Sequence, residues 1–322
     1  MAFVSRLLNV QFTLGQSPTG QQQTFTGTNS NVLTISGLRA SAKIKKVGGI
    51  GKSQMNLDIY GMTLSQMSQL STLGQQIQLV PRNTITVTAG DAISGMGTVF
   101  IGDVVNCYVD FKGMPEVVFR VEAYAMGAAA VIAVQPLSYP SGADVATVMS
   151  GIATQAGYQF NNYGVSQRLP TGTYLPGSAR AQLLKVVKTT GISWNGGDNG
   201  TVNIWPKNGS IGGAVPVVAP PPNGQMIGYP TFTVNGIIVE NIYDPSISLG
   251  SKIQVMSSLQ SSLSAALGQT NPGATNVQNP QSGIWAVYDV DLDLNTLVPG
   301  GAWKMVLKCI NPNFYAPPPT QA

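Results

Sequence analysis

Apolar and polar residues alternate with a period of two along most of this chain, the period of a strand that buries one face and wets the other. Leu8, Val10, Phe12 and Leu14 share one face of the first such run, while Asn9, Gln11 and Thr13 share the other. After a polar stretch from Gln16 to Ser30, alternation resumes over Leu33–Ile44 and Met55–Tyr60, with a turn predicted at Gly48-Gly49-Ile50-Gly51. Three further runs, Thr84–Thr88, Thr98–Phe111 and Glu116–Tyr124, are separated by turns at Asp91–Gly97 and Lys112–Pro115. Leu64, Met67 and Leu70 recur every three residues before Gly74, which predicts a short helix over Thr63–Leu73. Many short strands at this spacing predict a barrel or a sandwich.

The pattern changes near Pro136–Pro140. Val145, Val148, Met149, Ile152 and Ala156 form a helical stripe within Asp144–Gly157, with Ser141 as the expected N-cap. A second helix is predicted over Ser178–Thr190, with Leu183, Leu184 and Val187 inward and Gly191 closing it. Short strands at Ile192–Trp194 and Thr201–Trp205 complete a small α/β insert, 138–208. Residues 209–222 are rich in Gly and Pro and read as a linker, since three consecutive prolines do not fit a sheet interior. Strands then return at Thr231–Val234, Ile237–Tyr243 and Lys252–Ser257, the first two joined by an Asn235-Gly236 hairpin signal. Ser261–Ser282 is polar and loop-like, Gly283–Asn295 and Ala302–Ile310 form the last strands, and the proline-rich tail is expected to fray. The fold class is mainly β with a small α/β insert.

Composition adds a constraint on the surface. Only 9% of the 322 residues are charged, against about 25% in ordinary soluble domains. A chain this poor in charge is weakly protected against association. Much of its surface is therefore expected to be covered by neighbouring subunits, the alternative being a polar, uncharged surface. The length allows two or three domains. The net charge of +4 is not concentrated; its densest basic run is Lys43, Lys45 and Lys46 with Lys52 nearby, and alternation puts Lys43 and Lys45 on one strand face, which reads as solvated, the alternative being contact with nucleic acid. Cys107 and Cys309 lie in apolar runs and read as buried free thiols. MAFVSRLLNV turns polar at Asn9 and Gln11 and does not read as a secretory leader. The most apolar window, Ala123–Val134, is too short to span a bilayer, so no membrane insertion is expected.

The candidate chemistry is sparse. GGIGKS at 48–53 ends like a phosphate loop, but the first glycine of that motif is Lys46 here and a strand follows instead of a helix. Asp289, Asp291 and Asp293 imitate the start of a calcium loop. The glycine and bidentate Glu such a loop needs are Leu294 and Gly300, and the acids alternate with Val290, Leu292 and Leu294. These three aspartates therefore read as an acidic stripe on the wet face of a strand. The chain has no histidine, which removes the commonest general base and metal ligand. No catalytic residue, metal site or cofactor is assigned. The four tryptophans, 194, 205, 285 and 303, fall in strands and read as core before sugar platform.

The order of these pieces resembles the baseplate hub proteins of contractile-tailed bacteriophages, the central tail hub and late control tail protein family. The residues that carry the resemblance are GYPTFTVNGIIVENIYDPSISLGSKIQVMSSL at 228–259 and GIWAVYDVDLDLN with PGGAWKMVL within 283–307. GTVFIGDVVNCYVDFKGMPEVVFRVEAYA at 97–125 and YLPGSARAQLLKVV at 174–187 also fit. The resemblance implies two tail-tube-like β-barrels, 1–137 and 223–322, flanking the α/β domain. It implies a homotrimer whose six barrels match a hexameric tail tube above and a trimeric spike below, and which lines a DNA channel. The implied partners are the tail tube protein, the central spike protein, other baseplate proteins and the tape measure protein. DNA would pass without specific binding. The implied setting is the virion tail baseplate, assembled in the host cytoplasm, with Asp289, Asp291 and Asp293 at the lumen or an interface. A receptor- or glycan-binding β-protein at the tail tip is the alternative. An enzyme is the weakest reading, given the missing histidine and the absence of a carboxylate pair.

Overall fold

A computed structural model of the chain describes residues 5–16, 20–27, 29–72, 83–91, 95–197, 199–207, 209–234, 236–256 and 283–311. Strands take 48% of the described residues and helices 13%, so strand pairing sets the architecture. The N-terminal part gives β1 (Arg6–Thr13), β2 (Val32–Ile35), β3 (Ala40–Val47), β4 (Gln54–Tyr60), the helix α1 (Leu64–Leu70), β5 (Thr84–Asp91), β6 (Gly95–Asp110) and β7 (Val118–Tyr124). The middle gives α2 (Gly127–Val131), β8 (Leu137–Tyr139), α3 (Val145–Gln155), β9 (Gln159–Asn162), β10 (Thr173–Leu175), α4 (Ala179–Thr190), β11 (Ser193–Gly196) and β12 (Thr201–Trp205). The C-terminal part gives β13 (Val217–Val218), β14 (Met226–Thr233), β15 (Gly236–Ile242), β16 (Lys252–Val255), β17 (Gly283–Thr296) and β18 (Trp303–Ile310). Among the described residues no helix is long and apolar enough to cross a membrane.

Both β parts join in one 13-stranded sheet of order β14-β15-β18-β17-β3-β4-β7-β6-β5-β1-β2, with β16 pairing β17 and β13 pairing β16. The pairing that joins them is antiparallel β17 on β3, from Asp289↔Val47 to Thr296↔Ala40. Among the described residues the ladder is an open path and is not closed into the two expected barrels. A single apolar core follows. Phe12, Phe119, Ile44 and Leu57 from one part lie in one cluster with Val239, Leu292, Leu294 and Leu307 from the other. Phe12 and Phe119 meet edge-to-face at 6.4 Å.

Most strand expectations hold with shifts of a few residues, and the shifts have causes. The Leu33–Ile44 run divides into β2 and β3 around Gly37, whose φ of 68° suits glycine. In α1 the cap is Thr63 in a full capping box with Gln66, but Leu64 is 64% exposed and only Met67 and Leu70 face inward. Asp144, not Ser141, caps α3, its carboxylate accepting from the Thr147 amide at 2.8 Å. In α4, Leu183 and Val187 are buried as expected, Leu184 is partly buried against the same core, and Val186 is buried beside them. Gly236, expected in the hairpin turn, is instead the first residue of β15 and pairs with Thr233. Asn235 itself lies outside the described residues, as do Ser261–Ser282 and the tail. The linker stretch contributes β13, which lies parallel to β16.

The insert has its own core, in which Val148, Met149 and Ile152 of α3 pack with Leu183 and Val186 of α4 and with Trp194, Val202 and Ile204. It is pinned to the β3–β4 turn, the stretch that imitated a phosphate loop. Arg180 of α4, 8% exposed, donates to the carbonyls of Ile50 at 3.1 Å and Gly51 at 2.8 Å. Trp194 Nε1 donates to the Gly49 carbonyl at 2.6 Å. Burial pulls the Arg180 guanidinium below its ordinary range, yet an arginine stays charged and keeps donating. On its other side the same turn meets β17: the Gly48 amide donates to the Tyr288 carbonyl at 3.0 Å. A Cβ on Gly48 would sit 2.8 Å from that oxygen, so the approach needs glycine. Replacing Arg180 by Met keeps the aliphatic stem and leaves two carbonyls unpaired, which should cost about 1–3 kcal/mol in urea unfolding. Hydrogen exchange in the β3–β4 turn should accelerate in the same variant.

Candidate functional surface: a sheet face with alternating charge columns

The polar face of the joined sheet is where the ionisable groups of the β parts collect. Along β17, Val290, Leu292 and Leu294 are buried while Asp289, Asp291 and Asp293 point the other way. Successive carboxylates therefore stand about 6.6–7 Å apart along the strand, too far to close on one small ion. Among the described residues, no group of three or more His, Cys, Asp or Glu is placed to hold a metal. The stripe is instead flanked by lysines on both neighbours. Asp291 lies opposite Lys45 and Asp293 opposite Lys43 on β3. On the other edge, Asp289 lies opposite Lys308 and Asp293 opposite Lys304 on β18.

The alternation continues outward strand by strand. Glu240 on β15 pairs with Lys304. Beyond β3, Asp58 on β4 sits 3.6 Å from Arg120 on β7. From β15 through β18, β17, β3 and β4 the charges alternate by strand: Glu240, then Lys304 and Lys308, then Asp289, Asp291 and Asp293, then Lys43 and Lys45, then Asp58; β7 is mixed, with Arg120 facing Asp58 and Glu122 accepting from the Tyr124 hydroxyl at 2.8 Å. Each column of like charge would be mildly destabilising alone. Set between two columns of opposite sign, it is compensated sideways. Lys308 shows this most directly, lying 3.4 Å from both Asp289 and Asp291. Partial burial alone would lower its pKa. Attraction and hydrogen bonding from Asp291 and Asp289 more than reverse that, and the ammonium titrates above its ordinary range. The Glu240 hydrogen bond, helped by its charge and by Asp293, raises Lys304 likewise. Farther along, the Lys112 amide, with help from Arg120, holds Asp110 below the ordinary carboxylate range.

A shallow cavity of about 360 Å³ opens on this face, walled by Lys43, Lys45, Asp291, Asp293 and Lys304 with the amides of Gln54 and Asn56. The sequence had offered Asp289, Asp291 and Asp293 as one stripe and Lys43 and Lys45 as a separate basic face. The register brings the two together. Lys304, Lys308 and Glu240 were missed. Their signal was present in KMVLK, where the lysines share the face opposite Met305 and Leu307. The other candidates fall away as sites. All four tryptophans are buried, with Trp205 and Trp285 the most exposed at 6%, so none offers a ring to a sugar. Cys107 and Cys309 are buried free thiols, and burial pushes the Cys107 thiol up to about 11.

The Lys308 cluster predicts a pH signature. Its folded pKa is raised, so its stabilisation is complete below the ordinary lysine value of 10.5 and is lost as pH climbs through the raised value. The stability difference between wild type and Lys308→Met should be flat near neutral pH and shrink above that value, and its size should be about 0.2–1 kcal/mol for so exposed a cluster. Thermal melts of the two proteins across alkaline pH check this.

Comparison with known proteins gives this surface its setting. No curated protein matches the chain at the sequence level. Among solved structures, the tail protein from Neisseria meningitidis MC58 is similar at a TM-score of 0.56 and 9% identity, over 95% of this chain and 97% of that one. The 43 kDa tail protein of prophage MuSo2 from Shewanella oneidensis gives 0.54 at 8% identity, over 94% and 97%. The E. coli c3393 protein, a component of the type VI secretion system similar to the T4 tail proteins gp27 and gp5, gives 0.53 at 8%, over 84% and 73%. At these identities the likeness is one of fold. The model of the Baseplate hub gp41 family matches residues 7–266, and the chain, with its tail-protein fold, belongs to that baseplate hub family, structural components of phage tails.

Proposed function

We propose that this hub works as a homotrimer whose three copies close into a ring. Each copy would contribute two tube-like β units, so that threefold order presents six similar units to a hexameric tail tube while matching a trimeric spike. In this reading the N-terminal unit spans 1–137, the insert 138–208, the linker 209–222 and the C-terminal unit 223–322. The observation that carries the reading is the open ladder. Its ends, β14 and β2, have no further partner among the described residues, and an unpaired edge is a template for another chain. β14 also exposes Ile227, Tyr229 and Phe232, at 41%, 60% and 54%. Apolar side chains on an unpaired edge fit a contact between copies.

The charge-compensated face would then line the passage, and DNA would travel along it without specific binding. The tail tube protein, the spike, other baseplate proteins and the tape measure protein are the partners in this reading, and assembly takes place in the host cytoplasm. This reading assigns no catalysis to the chain: it has no histidine, and Asp110, Asp289 and Asp144 are engaged by Arg120, Lys308 and the Thr147 amide.

Mass measurement in solution and the symmetry of the protein in tail particles test the ring, with three copies expected. A monomer that binds glycans would overturn it. Replacing Ile227 and Phe232 together by Glu should lower the trimer fraction at a given concentration at least tenfold, with the monomer's melting temperature changed little. Sedimentation velocity reads the first quantity and calorimetry the second.

A further inference from the structure

The columns on the polar face differ in how their charges are held, and the difference has a chemical consequence. Lys43 and Lys45 are exposed on β3, Lys308 is partly exposed on β18, and all three face the β17 carboxylates by register or by contact. Two or three lysines at strand spacing, on a face that also carries Lys304, would ordinarily make a footing for a polyanion. Each phosphate they neutralised would release counterions and add salt-dependent affinity. We infer that the Asp289–Asp291–Asp293 column masks these lysines from phosphate, so that the face admits duplex DNA without retaining it.

The argument rests on sign and spacing. Along β17 the carboxylates alternate with Val290, Leu292 and Leu294, so none of them can leave the face without a register slip. Lys308 lies 3.4 Å from a carboxylate oxygen of Asp289 and of Asp291, and Lys304 is held by Glu240. A phosphate approaching any of these ammonium groups meets a carboxylate beside it and must compete with a partner already in place. The mask is static, built from one strand, and needs no conformational change. This inference rests on the reading that the face lines the passage, but it can fail by itself.

The test uses the full chain and a short mixed-sequence DNA duplex, with fluorescence anisotropy over a salt series. Wild type should show no saturable binding at about 50 mM salt. The variant Asp289→Asn/Asp291→Asn/Asp293→Asn should bind. With three lysines released and a slope of about −0.9 per phosphate contact, its affinity should fall roughly fortyfold between about 50 and 200 mM salt. Adding Lys43→Gln, Lys45→Gln and Lys308→Gln to that variant should abolish the gain. Asp289 is the most enclosed of the three and also accepts from the Gly48 amide at 3.3 Å. If the triple variant melts early, Asp291→Asn/Asp293→Asn serves in its place, with a smaller gain and a shallower slope expected. The mask is overturned if neither variant binds DNA more tightly than wild type, if wild type binds with the same salt slope, or if the gain survives removal of the lysines. A trimer that gains no DNA binding sinks the mask and leaves the ring standing. A monomer that gains it does the reverse.

Discussion

The structure hangs on one antiparallel ladder, β17 against β3. Its residues lie more than 240 positions apart in the chain, from Asp289↔Val47 onward. Closing so long a loop costs little more than closing a shorter one, because the entropy grows only with the logarithm of length. What the ladder secures is register. A slip of one residue would turn Val290, Leu292 and Leu294 to the polar face and drive three carboxylates into the core. Desolvating even one unpaired carboxylate costs several kcal/mol, so alternative registers are excluded by a wide margin. The two β parts thus behave as one sheet with one core, and the charge columns on its wet face are held in line by the same constraint.

The β3–β4 turn extends that constraint to the insert. Gly48 meets β17 through Tyr288 and Asp289, while Gly49, Ile50 and Gly51 receive hydrogen bonds from Trp194 and Arg180. One six-residue stretch therefore touches both β parts and the α/β unit. Gly250 plays a similar part from the C-terminal side: its φ is 86°, and an added Cβ would press on the Trp205 ring at 2.9 Å. Arg6 adds a further tie across the halves, its guanidinium over the Trp303 ring at 5.8 Å and donating to the Gly301 carbonyl. Such cross-ties hold the two β parts and the insert to one another.

How much of this was legible in the sequence depended on range. Local signals read well. The alternation of Leu8, Val10, Phe12 and Leu14 gave the buried face of β1, and Ser178 and Gly191 marked the ends of α4. Short-range competition caused the small errors, as when Asp144 displaced Ser141 as cap because its carboxylate reaches the Thr147 amide directly. α2 was missed because Gly127, Ala128, Ala129 and Ala130 carry no periodic apolar stripe. It is anchored by the Asp103 carboxylate, which accepts from the Ala128 amide at 2.8 Å from a distant strand. The pairing of β17 with β3 was not legible, since period-two strands fit many partners equally. The open ladder escaped prediction with it. For the same reason the aspartates looked like an isolated acidic stripe and the lysines like an unrelated basic one.

A chain with so few ionisable groups can deploy them where water stays, or spread them thinly for solubility. In the sheet, Lys43, Lys45, Asp289, Asp291, Asp293, Lys304 and Lys308 share the face whose opposite side is the core, with opposite signs on neighbouring strands, and β14 is left with exposed Ile227, Tyr229 and Phe232. In the proposed ring, the uncharged β14 flank would avoid the desolvation cost that a buried charge brings to a contact between copies. A compensated wet face keeps its lysines from acting as phosphate anchors. The two choices reinforce each other: carboxylates placed against lysines on β17 and its neighbours satisfy the sheet locally, so no charge has to be carried on the flanks to balance them.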